Sequence, residues 1–188
     1  MLENRLFPGR FPAWTLLFLA ATLALFFLAG CSSRGPLTPA QTQQMTPEAL
    51  LRTGQDSLAH KEYPRAEMAF SKALEQPGLT PALRLEALRG ASMAASKSGH
   101  HHLALAYLRQ WSQADSKAEQ TWEWQDLYVD SLVGTREDAA ARTYLTKMLA
   151  KPGLAAETRA LAGFRLAGLY WDKKDPASSM KALAETYA

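Results

Sequence analysis

The chain has 188 residues, with 21 Lys+Arg against 18 Asp+Glu, a formal charge of +3, 47% hydrophobic residues and one cysteine. A single cysteine excludes an internal disulfide framework or a four-cysteine zinc site, and a charge this small and dispersed argues against a nucleic-acid partner. There is no isoleucine and only two valines, Val129 and Val133, while Ala and Leu dominate; these lead the helix propensity scale where a sheet core wants branched residues, so the fold class is all-α.

The amino terminus has the basic-then-apolar order of an export signal. Arg5 and Arg10 stand against Glu3, and Thr15–Leu28 is a run of Leu, Phe and Ala broken only by Thr15 and Thr22. The uncharged stretch from Phe11 to Ser33 is also long enough to span a bilayer as a tilted helix, and length alone does not decide between the two. The next four residues, Leu28-Ala29-Gly30-Cys31, resemble the lipobox of bacterial lipoproteins: an apolar residue, two small ones and a cysteine. That resemblance implies a signal peptide over residues 1–30 and a Cys31 thiol consumed by diacylglyceryl attachment, with acyl chains sufficient for stable anchoring. Ser32 follows the cysteine, where lipoproteins kept in the inner membrane commonly carry Asp. The similarity therefore implies an outer-membrane location, facing the periplasm.

Residues 31–45 read as the lipidated cysteine and a flexible tether. Pro36, Pro39, Gly35 and a run of Gln and Thr leave too little apolar surface to order the segment. At ~3.3 Å per residue it would reach about 45 Å from the membrane.

Helix punctuation then recurs. Thr46-Pro47 and Thr80-Pro81 place a capping hydroxyl before a proline, Ser116-x-x-Glu119 and Thr135-x-x-Asp138 fit or approximate a capping box, and Pro77-Gly78 and Pro152-Gly153 mark stops. Eight helices are predicted, over 47–60, 63–76, 81–98, 101–113, 117–133, 136–150, 155–172 and 176–187. Gln76-Pro77-Gly78-Leu79 returns as Lys151-Pro152-Gly153-Leu154, two repeats on. Half-steps of 37 or 38 residues link Ala66, Ala104, Ala141 and Ser179, with Phe70, Leu108, Leu145 and Leu183 four residues after each.

With Gly54, Tyr63, Ala73 and Pro77, these positions resemble the tetratricopeptide repeat over residues 46–188. Ser92 and Ala167 stand where Gly54 does, and Val129 departs from the pattern. The resemblance implies a solenoid of about four antiparallel helical hairpins in which small residues allow close helix approach. It also implies a concave face on the first helix of each hairpin, carrying Glu86, Arg89, Met93, Lys97, Glu123, Asp126, Asp130, Phe164 and Trp171. Such faces bind extended peptides or partner helices.

Other candidates carry less chemistry. His100, His101 and His102 are consecutive, so their side chains diverge by about 100° each and cannot share one ion. Trp111, Trp122, Trp124, Tyr128, Tyr170 and Trp171 are expected chiefly as core. The only asparagine is Asn4, so the Asn-with-Lys/Arg carboxylate clamp of chaperone-tail-binding repeats is not expected. No nucleophile–base order or phosphate loop emerges, so neither an enzyme, a cofactor nor a small-molecule substrate is expected. The expected protein is a membrane-anchored interaction scaffold for envelope proteins. It shows a weaker similarity to the repeat region of lipoproteins that activate penicillin-binding proteins, and the same order of parts occurs in outer-membrane and pilus assembly lipoproteins. Residues 182–188 lack a polar capping helix and are expected to leave apolar side chains facing outward. The sequence therefore also fits the front part of a larger periplasmic ligand-binding-type lipoprotein.

Overall fold

The computed structural model describes residues 37–187. The expected signal peptide, the Leu28-Ala29-Gly30-Cys31 motif and the first part of the tether lie outside the described residues. The described chain is all-helical, without a strand. Its helices are α1 (Pro39–Gln43), α2 (Pro47–Ala59), α3 (Tyr63–Glu75), α4 (Pro81–Lys97), α5 (His101–Ala114), α6 (Trp122–Gly134), α7 (Asp138–Leu149), α8 (Ala156–Asp172) and α9 (Pro176–Tyr187).

Local chemistry explains most of the boundaries. Thr46 and Thr80 accept from the Ala49 and Leu83 N–H groups, each at 3.3 Å, with proline at the first helical position. These bonds satisfy amides that would otherwise be orphaned at a helix start. The predicted start at residue 117 is corrected. Ser116 caps nothing; Lys117 N–H instead donates to Asp115 Oδ1 at 2.9 Å, and a single 3₁₀ turn follows over Ala118–Gln120. Thr121 is the true cap, accepting from Trp124 N–H at 3.3 Å while its own hydroxyl donates to Ala118 O at 2.7 Å. Thr135 likewise closes α6, its hydroxyl donating to Leu132 O at 3.0 Å, and does not open α7.

The tether is ordered over its second half, contrary to the reading of 31–45 as unstructured throughout. A capping box explains this: Thr38 Oγ1 accepts from Gln41 N–H at 3.3 Å and Gln41 Oε1 accepts from Thr38 N–H at 2.9 Å. Leu37 and Thr42 are buried, and Met45 packs on the first core cluster while its carbonyl accepts from Gln76 Nε2 at 3.0 Å.

The four turns that join α2 to α3, α4 to α5, α6 to α7 and α8 to α9 are one structure repeated. Lys61, Gly99, Arg136 and Lys174 occupy them with φ of 59°, 81°, 66° and 58°. In each turn, the N–H of the residue after this one bonds back five positions: Glu62 to Ser57 O, His100 to Ala95 O, Glu137 to Leu132 O and Asp175 to Tyr170 O, at 2.8 to 3.0 Å. This is the Schellman pattern, which satisfies the last carbonyls of the outgoing helix as the chain turns back. Five residues after each left-handed position come Ala66, Ala104, Ala141 and Ser179, all buried.

Each helix from α2 onward packs on its successor, and the first members of the early pairs also pack on one another, α2 on α4 and α4 on α6. Phe70 is almost fully buried in that packing. A methyl at Gly54 would lie 2.7 Å from its ring, and one at Gly90 closer still. Burying such a ring contributes about 1.5–3 kcal/mol, provided that the two helices can approach. The core forms two clusters, one running from α2 to the first half of α6 and one from Val129 to α9. Leu105, Tyr128 and Tyr144 touch both. In the last pair, Ala182 and Thr186 are buried and Leu183 packs on the second cluster, so those residues do not face outward as expected.

Candidate partner-binding face

The nine face residues nominated from the sequence sit on α4, α6 and α8, the first helices of the second to fourth pairs. Their charges are joined across the seams between successive first helices. Gln55 Nε2 on α2 donates to Glu86 on α4. Arg89 on α4 pairs with Glu123 on α6 at 2.5 Å, its guanidinium also lying 5.6 Å from the Trp111 ring centroid. Lys97 pairs with Asp130 at 3.3 Å. Arg165 on α8 pairs with Asp126 at 3.2 Å and with Asp130.

The acidic group Glu123, Asp126 and Asp130 is therefore neutralised from both sides by Arg89, Lys97 and Arg165. These side chains are partly exposed, so each pair contributes at most about 1 kcal/mol and is screened by salt. The ladder fixes register between first helices while leaving little net field for a charged partner.

The large side chains are distributed unevenly along this face. Met93 is half-buried in a shallow cleft of about 220 Å³ between α2 and α4, with Leu58, Phe70 and Gly90 around it. On α8, Phe164 is 57% and Trp171 65% exposed, and Leu161 is 38% exposed beside them. Gly168 lies between the two rings on the same helix face, and a methyl there would meet nothing within 4 Å. Leu161, Phe164 and Gly168, with Trp122 and Asp126 of α6, border an open cleft of about 360 Å³.

Sequence reasoning missed Gln55, Arg165, Leu161 and Gly168. For the last two a signal exists: positions 161, 164, 168 and 171 recur at helical spacing and share one face.

The remaining candidates resolve individually. His100 Nδ1 lies 2.8 Å from the Glu67 carboxylate, the His101 ring occupies the space beside Gly134, and His102 is exposed. Among the described residues, no group of His, Cys, Asp and Glu is clustered for a metal, and no helix is long and apolar enough to cross a membrane. Trp111 and Trp124 are buried as expected, and Trp124 Nε1 donates to Leu108 O at 3.0 Å. Trp124 stacks on Tyr128 with centroids 4.9 Å apart, and Tyr128 meets Tyr144 edge-on at 5.0 Å. Burial, with the charges of Glu119 and Tyr128 adding to it, pushes the Tyr144 hydroxyl up to about 12. Its ring lines a second cleft, of about 450 Å³, between α5 and α7. At the last two turns, a hydrogen bond from Lys173 lowers the Asp138 carboxyl, and hydrogen bonds from Ser178 lower Asp175.

Neither a protein-family model nor a curated protein sequence matches the chain. What the face gathers is exposed aromatic surface and compensated charge, the ingredients of recognition.

Proposed function

We propose that this chain is a lipid-anchored interaction scaffold of the bacterial envelope, a solenoid of four tetratricopeptide-like hairpins held at the outer membrane through Cys31. Its first helices present Glu86, Arg89, Met93, Lys97, Glu123, Asp126, Asp130, Phe164 and Trp171 to a protein partner. One observation carries the reading: the same turn, with its left-handed residue and following small residue, recurs at Lys61, Gly99, Arg136 and Lys174. Identical turns at near-equal spacing stack like elements side by side, which is how repeat proteins build a preformed surface from first helices.

The partner is an envelope protein, such as a peptidoglycan synthase or an outer-membrane precursor. The lipobox resemblance supports a periplasm-facing position for this chain, where such a partner would be met. Two measurements in intact bacterial cells test this. Palmitate label should enter the wild-type chain and be lost in Cys31→Ser, which should leave the membrane fraction. A photo-cross-linking residue at Met93 should capture an envelope protein. Equal labelling of the Cys31→Ser chain, or capture of cytoplasmic proteins alone, would overturn the proposal.

A further inference from the structure

The cleft of about 450 Å³ between α5 and α7 lies away from the partner-binding face. It is floored by Trp124, Tyr128 and Leu132 of α6, which at about 100° per residue sit across that helix from Glu123, Asp126 and Asp130. The repeated turns give an internal standard for this site. Twelve residues before the left-handed residue of each turn stand Ala49, Ala87, Trp124 and Ala162, and eight before it stand Thr53, Ala91, Tyr128 and Leu166. Three of the four pairs fold with alanine at the first of these positions, so the rings of the third pair exceed what the fold needs there.

A second departure falls on the same cleft. Among the described residues, no other connection between pairs carries a 3₁₀ turn such as Ala118–Gln120. Ala118 is fully buried, and the buried Gln125 donates from Nε2 to Glu119 O at 2.8 Å, which fixes the detour. It sets Glu119 on the rim of the cleft, beside Tyr144, whose hydroxyl is raised by burial and then by that charge. Glu137 stands on the rim at the turn into α7. Both carboxylates are exposed, neither is in an ion pair among the described residues, and Arg109 is the single cation that lines the cleft with them.

The interior is therefore apolar and aromatic, and the rim carries two carboxylates against one guanidinium. The cleft is also long. Leu105, Leu108 and Ser112 line it over two turns of α5, about 10 Å of helix, which an extended chain covers in about three residues. From this we infer that the cleft of the third pair is a second binding site, which takes a peptide segment of a protein partner with apolar side chains in the groove and basic residues beside them. Apolar anchors in a pocket, flanked by complementary charge, are how such segments are held. The site stands apart from the lipid anchor and from the face on the first helices.

The test titrates the purified full chain, at low salt in a calorimeter, with acetyl-Lys-Leu-Ala-Leu-Lys-amide and with the same peptide carrying Glu for Lys. The Lys peptide should bind saturably, about ten-fold tighter than the Glu peptide. Glu119→Gln should weaken it about three-fold, and Arg109→Gln should tighten it by a similar factor. Both positions are exposed, so circular dichroism should be unchanged, and Trp171→Ala should leave binding as it is. The inference is overturned if the Lys peptide does not saturate, if the Glu peptide binds as tightly, or if the two rim variants do not move affinity in opposite directions. It is equally overturned if acetyl-lysine amide alone binds as well, which would make the occupant a small amine, or if Trp171→Ala removes binding, which would put the peptide on the first-helix face. Capture at Met93 with no peptide binding sinks this site alone, and the reverse result sinks the first-helix face alone.

Discussion

At the scale of single residues, the glycines of the helix interiors divide by what stands in front of them. Gly54 and Gly90 face the buried Phe70 ring from α2 and α4, whereas Gly168 faces open space. Intrinsic helix propensity favours Ala over Gly by about 1 kcal/mol at all three. Packing opposes this only at the first two, where an added methyl forces the ring off its seat at about 1–3 kcal/mol. Gly168→Ala should therefore stabilise the fold by about 0.5–1 kcal/mol, while Gly90→Ala should destabilise it. Urea unfolding should show the midpoints moving in opposite directions; a rise in both would mean that Phe70 is not held between the helices. Gly54 was legible in the sequence because it falls on a repeat position. Gly90 was not, because its requirement comes from a ring on another helix.

At the scale of elements, the helices were legible wherever punctuation and periodicity agreed, as at Thr46-Pro47 and Thr80-Pro81. They were misread where two hydroxyls competed. Ser116 offers a capping pattern, yet Asp115 bonds the backbone first and delays the start of α6 to Thr121. Composition hid α1 in the same way, since a Gln- and Thr-rich segment folds there through its own capping box. The seam at α6 has a consequence that pH can read. Tyr144 keeps its proton in the folded state up to about 12, against about 10 in the unfolded chain. Between those values the folded state binds the extra proton. The stability from this group is thus complete below about pH 10 and is lost as pH rises through the folded value. Tyr144→Phe should flatten the fall of the thermal midpoint across that window, and an ultraviolet titration should lose one late-ionising tyrosine. An unchanged alkaline slope in the variant would show that Tyr144 does not ionise late.

At the scale of the molecule, the nine face residues were nominated through the repeat resemblance, which said which helices and which side of them to read. It left the ion pairs unread. Arg89–Glu123, Lys97–Asp130 and Arg165–Asp126 join residues on neighbouring first helices, and their register depends on turn geometry that includes the 3₁₀ detour. Each helix from α2 onward packs on its successor, and the coupling between the two core clusters rests on few side chains. Tyr128 touches both clusters, stacks on Trp124 and meets Tyr144. Removing it should cost less in either cluster than in the link between them. Tyr128→Ala is therefore expected to split a shared unfolding into two steps, with amides of α7–α9 exchanging at a lower free energy than those of α2–α5. Native-state hydrogen exchange followed by mass spectrometry resolves the two groups. If both sets fall by the same amount, the clusters are coupled through the backbone packing of α6, and the aromatic seam is only part of the core.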